Sequence, residues 1–335
     1  MKKYHVIGLG NALVDREFKV TDTFLGKHKV EKSIMTLLDE AQQQLLLDEL
    51  EKEFELEAKV GGGSAANSLV ALSKFGGNAF YCCKIANDDD GKFYQQDLHN
   101  AGVESRLHVQ NNNGHTGKCV VMVTPDAERT MCTFLGITID FSLDELEQDV
   151  IAESEFLYIE GYLATSEIAR EAVRHARKKA EQSGTKIALT FSDSSLVKYY
   201  REGLNEFLTP GVDILFCNSE EAELYTGTGS LEEAVHALLE HAKEVVVTLG
   251  KEGALIATRE KRVLVPGVKV QAIDTNGAGD MFAGAYLYAI TQGWSVAQAG
   301  ALASRSAAEL VTQYGPRLSQ EAHQRILAEV RGDTP

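Results

Sequence analysis

The chain has 335 residues, a formal net charge of −16, 44% hydrophobic and 24% charged residues. That length accommodates one large core with a smaller unit beside it, and the composition is that of a globular protein. The acidic balance, without a Lys/Arg run, excludes nucleic acid as an expected partner.

The N-terminal stretch breaks its apolar run at Gly8 and Asn11, so it reads as neither a signal peptide nor a membrane span. Five cysteines without CxxC spacing fit reduced thiols and a cytoplasmic location. Tyr4–Leu9 reads as a buried strand that leads through Gly10-Asn11 to Val14-Asp15, delivering the Asp15 carboxylate to its C-terminal end. Arg16–Val20 and Val30–Thr36 read as short antiparallel strands. From Asp39 to Phe54 the apolar residues recur at helical spacing, with Asp39 as the cap.

Gly61-Gly-Gly-Ser-Ala-Ala-Asn67 falls between a short strand and the helical run Ser68–Phe75. Its glycines let a ligand approach the backbone, and the Asn67 amide offers a donor and an acceptor to vicinal hydroxyls. A tight helix entry accounts for the glycines equally well, and no GKS or GKT follows to make a Walker A loop. Gly117–Val123 and Arg129–Phe134 flank the turn-rich Thr-Pro-Asp-Ala-Glu and form a hairpin. With the early strands they complete one small sheet, fed by insertions around 16–36 and 115–136.

Beyond Asp140 strands and helices alternate: strand Glu155–Ile159, helix Glu167–Gln182, strand Lys186–Thr190, then strands at Asp213–Phe216 and Glu244–Thr248. This rhythm predicts an α/β protein with a mainly parallel sheet covered on both faces. Val263–Val270, interrupted by Pro266, is an edge strand, and from Ala278 onward the chain is helical.

Asp274-Thr-Asn-Gly-Ala-Gly-Asp280 carries the sharpest chemistry. A glycine-rich turn entering a helix presents backbone N–H groups at the positive end of the dipole, so Gly277, Ala278 and Gly279 would form an anion hole for a transferring phosphoryl group. Asp280, in the first helical turn, stands where it can take a proton from an incoming hydroxyl. A plain capping aspartate is the competing reading.

Taken in order, Gly61–Asn67, Asn218-Ser-Glu-Glu221, Thr248-Leu-Gly250 and Asp274–Asp280 resemble the signatures of the ribokinase (PfkB) family, the first and last about 200 residues apart. The resemblance implies a ribokinase-like three-layer sandwich, residues 1–335, with a small β-sheet lid. It implies ATP as phosphoryl donor and Asp280 as base, with Asp15, Gly62, Gly63 and Asn67 on the sugar hydroxyls. Asn218 and Glu221 would organise Mg2+ through its waters, while Thr248 and Gly250 would contact the nucleotide. Asp274 and Thr275 belong to the loop where many members hold a monovalent cation, usually K+. Arg129, in Glu-Arg-Thr-Met-Cys-Thr-Phe, resembles the lid-side arginine of adenosine-kinase-like members, suited to a phosphate in flight.

The Gly-Leu-Gly-Asn-Ala-Leu-Val-Asp15 start and the Ser33-Ile-Met-Thr-Leu segment are closer to adenosine kinases than to ribokinases. Adenosine is therefore the leading acceptor, with Ile34, Met35 and Phe134 as candidate apolar walls for the base. Ribose or fructose stays open, as does a non-catalytic nucleotide or sugar sensor. A dinucleotide oxidoreductase is disfavoured because Gly8-Leu-Gly10 lacks its third glycine. A small-molecule substrate is the expected partner, with no membrane, and the chain would be a monomer or a homodimer through the outward face of the small sheet.

Overall fold

The computed structural model describes residues 2–107 and 112–332. In chain order its strands are β1 (Tyr4–Leu9), β2 (Leu13–Lys19), β3 (Met35–Leu37), β4 (Leu56–Gly62), β5 (Ala79–Cys82), β6 (Val103–Glu104), β7 (Gly117–Val123), β8 (Arg129–Phe134), β9 (Ser154–Glu160), β10 (Lys186–Thr190), β11 (Val212–Asn218), β12 (Ala242–Thr248), β13 (Gly253–Thr258) and β14 (Arg262–Pro266). Nine of them form a sheet in the order β14-β13-β12-β11-β10-β9-β1-β5-β6. From β12 to β6 every pairing is parallel, and β13 and β14 close one edge in antiparallel fashion.

Successive strand residues point to opposite faces, and here both faces are apolar. Phe156, Tyr158, Ile214, Phe216 and Val246 pack on one side against the helices Ser64–Lys74, Ala278–Thr291 and Val296–Leu310. Leu157, Ile159, Leu189, Leu215 and Val245 pack on the other against Glu167–Ser183 and its neighbours. The result is the three-layer α/β architecture that the strand–helix rhythm predicts. The edge strand β14 stops at Pro266, which has no N–H to continue the ladder.

The remaining strands make a smaller sheet, ordered β3-β8-β7-β2-β4. Three details depart from the sequence expectation. Asp15 lies within β2 rather than at the end of β1, because the chain turns at Gly10–Ala12 and starts a new strand. Asp22–His28 is a helix capped by Thr21, and only Met35–Leu37 of the following stretch is extended, pairing parallel with β8. A further strand, β4, joins antiparallel to β2, so the first insertion runs to residue 62 rather than ending near 36. β4 alternates apolar and charged residues, and only Gly61 and Gly62 of it are buried at the sheet edge, which is why its sequence lacks a buried-strand signature.

Phe18, Val120, Met122 and Cys132 on the outward face are buried against Phe24 and Leu25 and against Leu46, Leu47 and Leu50 of the helix Glu40–Glu53. That helix begins with a capping box between Asp39 and Gln42. The outward face thus has its own cover. The inward face carries Leu13, Cys119, Val121, Val123 and Met131. No helix among the described residues is long and apolar enough to cross a membrane, and all five cysteines are buried and free.

Candidate active site

Between the small sheet and the C-terminal ends of the parallel strands lies a cavity of about 340 Å3, small for a ligand pocket. Its position follows from the topology, since crevices in open α/β sheets form outside the carboxyl ends of the strands. Asp15, Gly63, Asn67, Arg129, Asn218, Glu221, Thr248, Thr275, Gly277, Ala278, Gly279 and Asp280 all line it.

The helix Ala278–Thr291 starts at the cavity without a side-chain cap, its N-cap being Gly277 at φ +72. Only glycine takes that conformation easily, and a Cβ there would also meet Pro316 at 2.6 Å. The Ala278 amide is drawn into the turn, donating to the Thr275 carbonyl at 3.3 Å. Gly277 and Gly279 keep their N–H groups unpartnered among the described residues. The turn therefore presents two free amides to the cavity, with a third weakly engaged.

Asp280 accepts from the Ser64 hydroxyl at 2.6 Å and from Asn67 Nδ2 at 3.1 Å. Burial pushes its carboxyl above the ordinary range, while those two bonds and the guanidinium groups of Arg129 and Arg317 oppose the rise. Asp15, 7% exposed, is pushed up to about 7 by burial, with Arg317 opposing and Asp280 adding repulsion. A Cβ on Gly62 would run into the Asp15 carboxylate, and one on Gly63, at φ +101, into the Asn11 carbonyl. Gly62 itself does not line the cavity; its role in the structure is to let Asp15 lie against the backbone.

Arg129 stands on β8 facing Tyr162, Asp193, Asp280 and Asp274; burial lowers its pKa, but these acids outweigh it and the net shift is upward. It makes no ion pair among the described residues, and its Nη1 donates to the weak acceptor Met131 Sδ at 3.3 Å. Asn218 and Glu221 close a capping box on the helix Ser219–Thr226, at 2.8 and 2.9 Å. Burial pushes Glu221 up to about 7, with Asp193 adding repulsion. Gly250 is exposed on the turn beyond Thr248 and lies outside the cavity lining.

Asp274 sits behind the turn, 1% exposed, accepting N–H groups from Asn276 at 2.8 Å and Gly315 at 3.0 Å. Thr275 donates to the Ala127 carbonyl of the β7–β8 turn at 3.2 Å. Glu17 faces Asp274 from β2, with neither carboxylate oxygen hydrogen-bonded. Burial, then the Asp274 charge, hold its carboxyl well above the usual range. A buried carboxyl without partners is costly unless it is protonated or meets a counter-charge, and Glu17 beside Asp274 makes a set of oxygen donors that fits a cation.

Phe134 and Ile34 do not line the cavity, whereas Met35 does. Strand alternation is the reason: Arg129, Met131 and Thr133 of β8 point inward, which turns Phe134 outward. The apolar wall is instead Leu13, Met35, Leu37, Met131 and Leu135.

Four residues that the motifs did not single out belong to the site. Glu160 ends β9 and Asp193 follows β10, at strand ends where the fold rule would have directed attention. Glu160, fully buried, accepts from the amides of Asn11 at 3.2 Å and Ala65 at 2.8 Å, and burial pushes it up to about 8. Ser64 lies inside the glycine-rich motif. Arg317, in an irregular segment, donates from Nε to Asn67 Oδ1 at 3.1 Å and offered no signal in the sequence.

Comparison with known proteins bears on the same region. Residues 32–323 match the family described as pfkB family carbohydrate kinase. The probable sugar kinase from Rhizobium etli CFN 42 superposes with a TM-score of 0.93 and 31% identity, covering 98% of this chain and all (100%) of that one. The adenosine kinase of Sinorhizobium meliloti gives a TM-score of 0.91 and 33% identity, covering 97% and 100%. The adenosine kinase of Saccharomyces cerevisiae is 25% identical over 335 aligned positions, covering 94% of this chain and 97% of its own length.

Proposed function

We propose, from the premise that the chain belongs to the pfkB family of carbohydrate kinases and is an ATP-dependent phosphotransferase acting on an alcohol, that its acceptor is the 5′-hydroxyl of adenosine. The observation that carries the choice of acceptor is the mixed lining of the cavity. Asp15, Asn67 and Asp280 offer polar groups that suit a ribose, and Leu13, Met35, Leu37, Met131 and Leu135 add apolar surface that suits a planar base. A free sugar gains less from that apolar surface than a nucleoside does. The adenosine kinases among the relatives support the same reading, and the Rhizobium etli protein keeps a sugar acceptor as the alternative.

In this reading Asp15 and Asn67 hold the ribose hydroxyls, and Asp280 accepts the proton of the attacking hydroxyl on the carboxylate that Ser64 and Asn67 keep ionised. The free amides of Gly277 and Gly279 donate to the transferring group, where fixed dipoles in a dry site act most strongly. Arg129, without an ion pair of its own, turns to that charge when the small sheet closes. Thr248 contacts the ATP phosphates. Glu221, Asp193 and Glu220 bring carboxylates to one end of the cavity, a set that would hold Mg2+ through its waters. Bound there, the ion supplies charge neutralisation for the phosphates. Asp274 and Glu17 would hold a monovalent cation behind the turn, supplying a counter-charge to Glu17, whose carboxylate oxygens have no hydrogen-bond partner among the described residues.

The test is ADP release from Mg·ATP in K+ buffer with adenosine, inosine, guanosine, ribose, fructose or no acceptor. Release that depends on adenosine and yields the 5′-monophosphate is the expected result. Preference for a free sugar overturns the acceptor and leaves the kinase intact. ATP binding without acceptor-dependent release favours a sensor.

A further inference from the structure

We propose that Arg317 is a positioning residue of the phosphoryl transfer, locking the Asn67 amide in the one orientation that presents a donor to Asp280. The inference rests on Asp280 being the base. A primary amide has an acceptor side and a donor side, and a half-turn about the terminal bond exchanges them. A guanidinium has five donors and no acceptor, so it can bond Asn67 only through Oδ1. Arg317 Nε makes that bond at 3.1 Å, and Nδ2 is thereby aimed at Asp280 Oδ2, also at 3.1 Å. With the amide reversed, Oδ1 would face the Asp280 carboxylate, acceptor against acceptor.

Arg317 is itself fixed. Its Nη1 is ion-paired to Asp97 of the helix Asp89–Asn100, and Asp97 also accepts the Gly61 amide at 3.2 Å. The relay Asp97–Arg317–Asn67–Asp280 therefore connects the entry of the glycine-rich segment to the base. The Arg317 side chain is only 10% exposed, so its charge is poorly screened. It stabilises the ionised forms of both Asp280 and Asp15. The other groups facing Asp280 are Arg129 from β8, Asp15 from β2, and Tyr158 and Glu160 from β9. All of them remain when Arg317 is replaced.

The experiment compares Arg317→Met, Arg317→Lys and Asp97→Asn with the unaltered chain, using kcat against pH and a carbon-13 NMR titration of the aspartate carboxyls without substrate. The Asp280 signal is assigned from Asp280→Asn. Arg317→Met is expected to lower kcat at neutral pH at least tenfold, to move the acid limb of the profile to higher pH, and to move the Asp280 titration the same way. Arg317→Lys keeps the charge and loses the fork, so it recovers the titration more than the rate. Asp97→Asn shifts both in the direction of Arg317→Met but less, and it decides the question if the methionine variant does not fold. A uniform loss of rate with the acid limb and titration unmoved, or no change at all, overturns the proposal and leaves Arg317 a packing residue. Near-normal turnover by Asp280→Asn would instead refute the base, a separate failure.

Discussion

Removing one hydroxyl gives the most direct test of how the candidate base is tuned. Ser64 is the first residue of its helix and not its cap, that position being Gly63, so Ser64→Ala sacrifices no capping bond. What it removes is the 2.6 Å bond from Ser64 to Asp280 Oδ1. A hydrogen bond to a charged group contributes ~1.5–3 kcal/mol, and here it favours the carboxylate over the acid. With 1.36 kcal/mol per tenfold, Asp280 should gain roughly 10- to 100-fold in proton affinity. The sign is fixed: burial already raises this carboxyl, the variant raises it further, and a base that is protonated at higher pH loses rate on the acidic side. A coupled ADP-release assay from pH 5.5 to 9, at saturating ATP and acceptor, should therefore show the acid limb displaced upward with the alkaline plateau nearly kept. A profile superimposable on that of the unaltered chain, or a uniform loss without displacement, would refute the tuning argument.

Gly62→Ala places a methyl group on the Asp15 carboxylate and should raise the acceptor KM at least tenfold while leaving the ATP KM unchanged; initial-rate kinetics in both substrates separate the two. Met131→Ala strips the apolar wall, and at ~0.8 kcal/mol per buried methylene it should weaken adenosine about tenfold while sparing any turnover of free ribose, which equal losses on both acceptors would contradict. The folded chain retains protons on Glu160 to about pH 8 and on Asp15 and Glu221 to about pH 7. Because the unfolded chain releases those protons nearer the ordinary carboxylate range, stability without ligand should be highest in mild acid and fall as pH rises from about 5 to 8. Thermal melts check this, and Glu160→Gln should flatten the slope; a stability that climbs toward pH 8 would contradict it.

The layered fold was readable because parallel strands buried on both faces, such as Phe156–Ile159, cannot be mistaken for amphipathic ones, and because the helices between them are long. The motifs likewise announced the turn at Gly277 and the placement of the Asp280 carboxylate, since a glycine-rich turn that opens straight into a helix leaves amides bare at its mouth and sets the next carboxylate beside them. What escaped was whatever depends on pairing. The short strand before Gly61 was legible, but nothing in Leu56–Lys59 reports that it pairs with β2 at the edge of the small sheet. Phe134 was nominated as a wall on chemistry alone, and strand alternation sends it to the other face. Arg317 contacts Asn67 across 250 positions of sequence, and no local pattern reports such a partner.

The small sheet has an apolar interior of its own, sealed by Phe24, Leu46, Leu47 and Leu50, and it joins the rest of the molecule where the chain crosses beside Gly10, Gly63, Gly117 and Gly136. Arg129 and the apolar side chains Met35, Leu37 and Met131 all sit on that sheet and face the cavity, so any displacement of it moves the charged group and the apolar surface at once. In the proposed reading, the phosphoryl charge that Arg129 would meet and the acceptor that would lie against those apolar side chains therefore find their contacts on one and the same element.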